Sequence, residues 1–135
     1  MFRPSRALLL VLGLGVAAAG ALVAADARQA RRRAWDEAGA LTLGDPALGQ
    51  GKTTAYGCGG CHEIPGIDGA TGRVGPSLKG FAGRTFVAGR LNNTPANVEA
   101  WIAHPRRIDP KTAMPELGVT PADARDITAY LYTLR

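Results

Sequence analysis

The chain has 135 residues, a formal net charge of +5 and only two cysteines, Cys58 and Cys61. That length allows one domain and not two, and two cysteines are too few for the disulfide framework of a small secreted domain. Residues 1–33 hold six arginines against the single acid Asp26, whereas residues 34–135 hold ten basic and ten acidic side chains; a nucleic-acid-binding domain would carry its positive excess on the folded part instead.

Arg3 and Arg6 precede an uncharged run from Ala7 to Ala25. A positive start followed by an apolar run is a targeting segment. The run exceeds the ~7–15 residues of a cleavable signal core and fits the ~17–25 of a membrane span. Ala and Gly dominate it after Leu14, and Val23-Ala24-Ala25 and Ala25-Asp26-Ala27 resemble small-residue cleavage sites. Length favours an uncleaved anchor. Residues 1–27 are therefore read as signal or anchor, 28–44 as a basic to polar linker with some helical character, and 45–135 as the folded domain.

Asp45-Pro46 supplies an N-cap followed by proline at the first helical position. It predicts a helix from about Pro46 to Tyr56 that stops at Gly57 and delivers the chain to Cys58. Residues 62–93 hold nine glycines and prolines between Pro65 and Gly89, a density that breaks regular structure. A long irregular segment in a small domain calls for a function, and wrapping a flat cofactor would supply one. Thr94-Pro95 opens a second helix, expected to reach His104 before Pro105. Thr120-Pro121 opens the last, with Asp123 favourably near its N-terminus. There Ile127, Tyr130, Leu131 and Leu134 recur at helical spacing. No alternating strand pattern stands out.

Cys58-Gly59-Gly60-Cys61-His62 is C-x-x-C-H, the pattern of covalent c-type haem attachment. Two thiols separated by two residues reach the two vinyl groups of one porphyrin, and the next residue falls over the iron, where imidazole is an axial ligand. Zinc normally needs four ligands, and only His104 could join these three as a soft or borderline donor. A thioredoxin-like pair would sit on a β-α-β pattern, which the sequence lacks. The motif leaves the sixth iron position open to Met, to His or to no protein ligand.

The stretches Gly75-Pro76-Ser77-Leu78-Lys79-Gly80-Phe81-Ala82-Gly83-Arg84 and Pro105 to Met114, with Pro110-Lys111-Thr112-Ala113-Met114 at its end, resemble class I cytochromes c, the small His/Met electron carriers. Asp126 to Leu131 resembles the closing helix of that family. The resemblance covers about residues 45–135. It implies an all-α fold: three main helices and loops around one haem, preceded here by the N-terminal apolar helix. It implies His62 and Met114 as axial ligands, Pro76 offering its carbonyl to the second ring nitrogen of His62, Arg84 and Thr112 bonding a propionate, and Trp101 against the haem. One departure stands out. The family's packing glycine, eight residues before the first cysteine, is Gln50 here, flanked by Gly49 and Gly51, and the usual aromatic four before it is Thr54.

The expected function is that of a mono-haem electron carrier, not an enzyme, on the periplasmic face of the membrane, soluble in the periplasm if the leader is cleaved. Its expected partners are redox proteins of the respiratory chain, with a donor of the quinol–cytochrome c reductase type and an acceptor of the oxidase type. Neither nucleic acid nor a small-molecule substrate is expected. Arg106, Arg107 and Lys111 form a candidate docking patch. Two alternatives stand beside this reading. One is a subunit through which electrons enter a terminal oxidase or reductase complex. The other is a haem enzyme or gas sensor with a labile distal Met.

Overall fold

Each main helix of the domain begins where the sequence puts a capping side chain beside a proline. The computed structural model describes residues 5–135, so Arg3 lies outside the described residues. Helix α1 runs Arg6–Thr42, α2 Pro46–Ala55, α3 Pro95–Ala103, α4 Pro105–Ile108 and α5 Pro121–Tyr132. Asp45 accepts from the N–H groups of Ala47 and Leu48 at 2.7 and 3.2 Å. Thr94 caps α3 through Asn97 N–H at 3.4 Å, and Thr120 caps α5 through Asp123 N–H at 3.1 Å. These bonds satisfy backbone donors that a helix start leaves bare. His104 is the exposed C-cap of α3, its N–H donating to Ala100 O at 2.9 Å. Gly57, left-handed at φ 70°, follows α2 and turns the chain toward Cys58.

The architecture is mainly helical, as expected. One small departure is a two-rung antiparallel ladder, β1 Phe86–Val87 against β2 Leu91–Asn92. It is too short to leave an alternating pattern in the sequence.

The chain divides into two units, Met1–Arg33 and Ala34–Arg135. In the first, α1 carries the apolar run; from Leu9 it includes an 18-residue window of mean hydropathy 2.1, none of it buried. The second unit starts at Ala34, ahead of the Asp45 boundary read from the sequence. Ala34, Ala38 and Thr42 are buried there, and the Trp35 ring meets Tyr130 edge-on at 6.4 Å. The second half of the segment read as linker thus contributes to the core.

The core centres on the crossing of α2 and α5. Gly49 sits in the crossing, and a Cβ there would collide with the Asp126 carbonyl and come within 3.0 Å of Tyr130 Cβ. Thr53, buried, donates to Gly49 O at 2.7 Å. For the glycine, the departure noted in the sequence resolves as a shift of one residue: Gly49 faces α5, while Gln50 donates to Gly66 O at 2.6 Å; Thr54 is exposed and supplies no aromatic there. Lys52 closes the crossing by reaching Asp123 at 2.6 Å and Asp126 at 2.5 Å.

Candidate haem-attachment site

Cys58–Gly60 forms a single 3-10 turn. Its hydrogen bonds, Cys61 N–H and His62 N–H to Cys58 O at 3.2 and 3.0 Å, bring both thiols and the imidazole to one wall. Both cysteines are free and half-buried. Burial pushes the Cys58 thiol up, against a smaller downward pull from its own backbone, with Cys61 adding to the rise.

His62 Nδ1 lies 2.7 Å from Pro76 O. A carbonyl oxygen only accepts, so Nδ1 holds the proton and donates it. In the neutral ring that tautomer keeps the lone pair on Nε2, the atom through which imidazole then binds a metal, and the bond fixes the ring's orientation. Gly75 lies flat against that ring: a Cβ on it would stand 2.7 Å from Nδ1 and 2.8 Å from Nε2. Glycine is required here for close approach rather than for a turn.

The wall faces a cavity of about 500 Å³, within the ~300–1,000 Å³ of small-molecule and cofactor sites. Cys58, Cys61, His62, Gly75 and Pro76 line it. So do Val98, Trp101 and Ile102 of α3, Ile127 and Leu131 of α5, and Thr112, Met114, Pro115, Leu117 and Val119 from the loop between α4 and α5. Every position read from the sequence as a haem contact reaches this one cavity; His104 is not among its lining residues. A second, wider groove of about 650 Å³ is lined by Glu37, Ala38, Leu41, Gly80, Ala82, Gly83, Tyr132 and Arg135. It holds no thiol, imidazole or thioether and offers no comparable donor set.

Two residues behave differently from a simple propionate pair. Thr112 Oγ1 accepts from Met114 N–H at 3.2 Å, which leaves its own O–H to donate. Arg84 donates through Nη2 to Ser77 O, and to Lys79 O at 3.2 Å, with its guanidinium 5.4 Å above the Phe81 ring. It both lines the cavity and ties down the loop before it.

Three supporting residues were not singled out in the sequence. Asn93 donates to Phe81 O and Arg84 O at 3.0 and 3.1 Å and accepts from Tyr132 O–H at 3.1 Å. Arg90 Nε donates to Asp109 at 3.0 Å. The other oxygen of Asp109 accepts from Lys111 N–H at 3.1 Å. These link the ladder turn and α5 to the walls of the cavity through contacts that no local pattern announces.

The residues present fit a c-type haem: two thiols at C-x-x-C spacing, an imidazole with Nε2 available, a thioether and a largely apolar lining. The sequence model of the family described as cytochrome c matches residues 47–135. The chain belongs to the cytochrome c family. Membership implies covalently bound haem with iron and haem-based electron transfer. This cytochrome c is also 34% identical over 79 residues to a protein of Alkalihalophilus pseudofirmus described as cytochrome c oxidase subunit 2. That stretch is 58% of this chain but 22% of the relative, so the match spans about a fifth of its length. No solved structure matches the chain.

Proposed function

We propose that the protein is a mono-haem carrier that passes single electrons between respiratory redox partners on the periplasmic side of the membrane. One observation carries the proposal: a single apolar cavity is lined by Cys58, Cys61, His62 and Met114. Cys58 and Cys61 hold the haem by two thioether bonds. His62, with Nδ1 bonded to Pro76 O, would offer Nε2 to the iron, and the Met114 sulfur would be its second protein ligand. A haem held by these residues would supply one-electron chemistry, at a potential that His/Met ligation would raise. The protein's part would be to supply His62 and Met114 as ligands and to exclude water with Val98, Trp101, Ile127 and Leu131. Thr112, whose O–H is left to donate, and the remaining donors of Arg84 would meet the propionates. The Ala7–Ala25 run stays as an anchor; its length, and its exposure from Leu9 onward, support this. Donors of the quinol–cytochrome c reductase type and acceptors of the oxidase type fit a carrier so placed.

The likeness to a protein described as cytochrome c oxidase subunit 2 favours one second reading, a fixed subunit through which electrons enter an oxidase. Isolation from membranes by an affinity tag separates the two: a carrier comes out alone, a subunit with its complex. The spectrum tests the site itself. The reduced protein is expected to keep a single low-spin spectrum under carbon monoxide and to retain haem through acid-acetone extraction. A carbon monoxide adduct would instead assign a haem enzyme or gas sensor with a labile distal ligand.

A further inference from the structure

The arginines that follow the apolar run are unexplained by electron transfer. Arg28, Arg31, Arg32 and Arg33 all lie exposed on α1, and Asp26 is the sole acid among residues 1–33. At about 1.5 Å per residue, Arg28 stands roughly 4.5 Å beyond Ala25 along the helix and Arg33 roughly 12 Å. A bilayer of ~30 Å hydrocarbon thickness is ~40–45 Å across with its headgroups, which leaves about 5–8 Å of headgroup on each side. The first arginines therefore fall in the phosphate layer, and the later ones reach back to it with their long side chains. Arg28, Arg31 and Arg32 are spaced i, i+3 and i+4 and share one helix face.

Their placement opposes the usual distribution. Positive charge near the end of a span prefers the cytoplasmic side, and here it lies on the side of the exported domain. Residues 34–135 carry balanced charge, so the excess is not a general property of the protein. Guanidinium matches phosphate with paired, directed hydrogen bonds. We propose that Arg28, Arg31, Arg32 and Arg33 bind the headgroups of anionic phospholipids in the outward-facing leaflet. The inference rests on the anchor proposed above. It adds a lipid partner to it and gives the cluster a role on that side of the membrane.

The test uses full-length protein in nanodiscs of equal parts phosphatidylcholine and phosphatidylglycerol. Lipids that stay bound after release from the disc are identified by native mass spectrometry. Wild-type protein should retain phosphatidylglycerol over phosphatidylcholine by about fivefold or more, since each arginine near an anionic surface contributes roughly 1 kcal/mol. Changing all four to Gln should return the ratio to parity, and changing all four to Lys should keep only the part of the preference that charge alone supplies. Parity in the wild type, or an unchanged ratio in the Gln variant, overturns the headgroup site. The same spectra give the mass of the chain. A full-length chain keeps the anchor whichever way the ratio falls, whereas a chain beginning near Asp26 removes anchor and headgroup site together.

Discussion

The two walls of the haem cavity are built on different principles. The wall bearing Cys58, Cys61 and His62 is knitted across long stretches of chain. Gly72 N–H donates to Gly59 O at 3.1 Å, Gly75 N–H to Cys61 O at 2.8 Å and Leu78 N–H to Glu63 O at 2.8 Å. The His62 to Pro76 bond spans 14 residues. The wall bearing Met114 is held mainly by near neighbours: Asp109 N–H to Pro105 O at 2.9 Å, Thr112 N–H to Asp109 O at 3.0 Å and Met114 N–H to Thr112 Oγ1 at 3.2 Å. Its distant tether is the Arg90–Asp109 bridge, with Arg90 57% exposed. The denser bonding lies at the wall proposed to hold the haem; Met114, the proposed opposite ligand, rides on a loop with Pro110 before it and Pro115 after it. A lesion in the first wall should cost the cofactor, and one in the second should cost only a ligand.

Gly75→Ala is the harshest test of that difference. The new methyl group meets the His62 ring, with backbone bonds on either side that prevent retreat. Destabilisation should exceed the ~1–3 kcal/mol usual for overpacking, and haem-stained protein should fall far below wild type. Normal yields of haem-loaded protein would mean that the first wall yields more than its bonding implies. Met114→Ala comes next. Covalent haem should persist, the reduced protein should now bind carbon monoxide, and the potential should fall by roughly 0.1–0.3 V, a fraction of the ~0.8 V that axial ligands can set. An unaltered spectrum and potential would remove Met114 from the iron.

The Lys52 crossing contributes an effect that depends on pH. Hydrogen bonds from Lys52 and Tyr56, chiefly, hold the Asp123 carboxyl down to about 2 from an ordinary 3.8. Burial pushes Asp126 up, but its bonds from Lys52 and the Asp45 N–H outweigh this and leave it lowered. Bonds to Asp123 and Asp126 push Lys52 up to about 12 from 10.5. A carboxyl lowered by folding stabilises the fold above its ordinary value and loses that effect as pH falls through about 2; a raised ammonium stabilises it below 10.5 and loses the effect above about 12. Lys52→Met leaves two carboxylates facing each other, so acid sensitivity should turn into a loss of stability at neutral pH. Urea midpoints between pH 2 and 8 will show it, and parallel curves for variant and wild type would mean the network is idle. The smallest effect belongs to Arg90→Gln. An exposed bridge contributes about 0–1 kcal/mol, so global stability should barely change, while the methionine–iron charge-transfer band of the oxidised protein should fade at a lower temperature. Identical melting of that band would show that the ligand loop does not use this tether.

Local chemistry was legible in the sequence. Asp45-Pro46, Thr94-Pro95 and Thr120-Pro121 each mark a helix start in the structure, because cap and proline act within one turn. The C-x-x-C-H turn and the Pro76 carbonyl were also readable, the first from spacing and the second from family resemblance. What stayed hidden depends on residues far apart. Asn93 with Tyr132 and Arg90 with Asp109 lie 39 and 19 positions apart and carry no periodic signal. The packing of Ala34, Ala38 and Thr42 was masked by the arginines before them, and small residues make a faint stripe. The one-residue shift to Gly49 could not be read from a string with glycine on both sides of Gln50, because which face of α2 meets α5 is decided by the crossing.

The crossing of α2 and α5 also sets an order of events. It joins Asp45 to Asp126, Lys52 to Asp126 and Tyr56 to Asp123 across 81, 74 and 67 residues. Contacts between such distant positions cannot form until the later one is available. In a chain exported N-terminus first, Cys58 and Cys61 emerge while Pro121–Tyr132 is still on the other side. On the export proposed above, the thiols would wait on an open chain, and the last helix to emerge would close the domain over them.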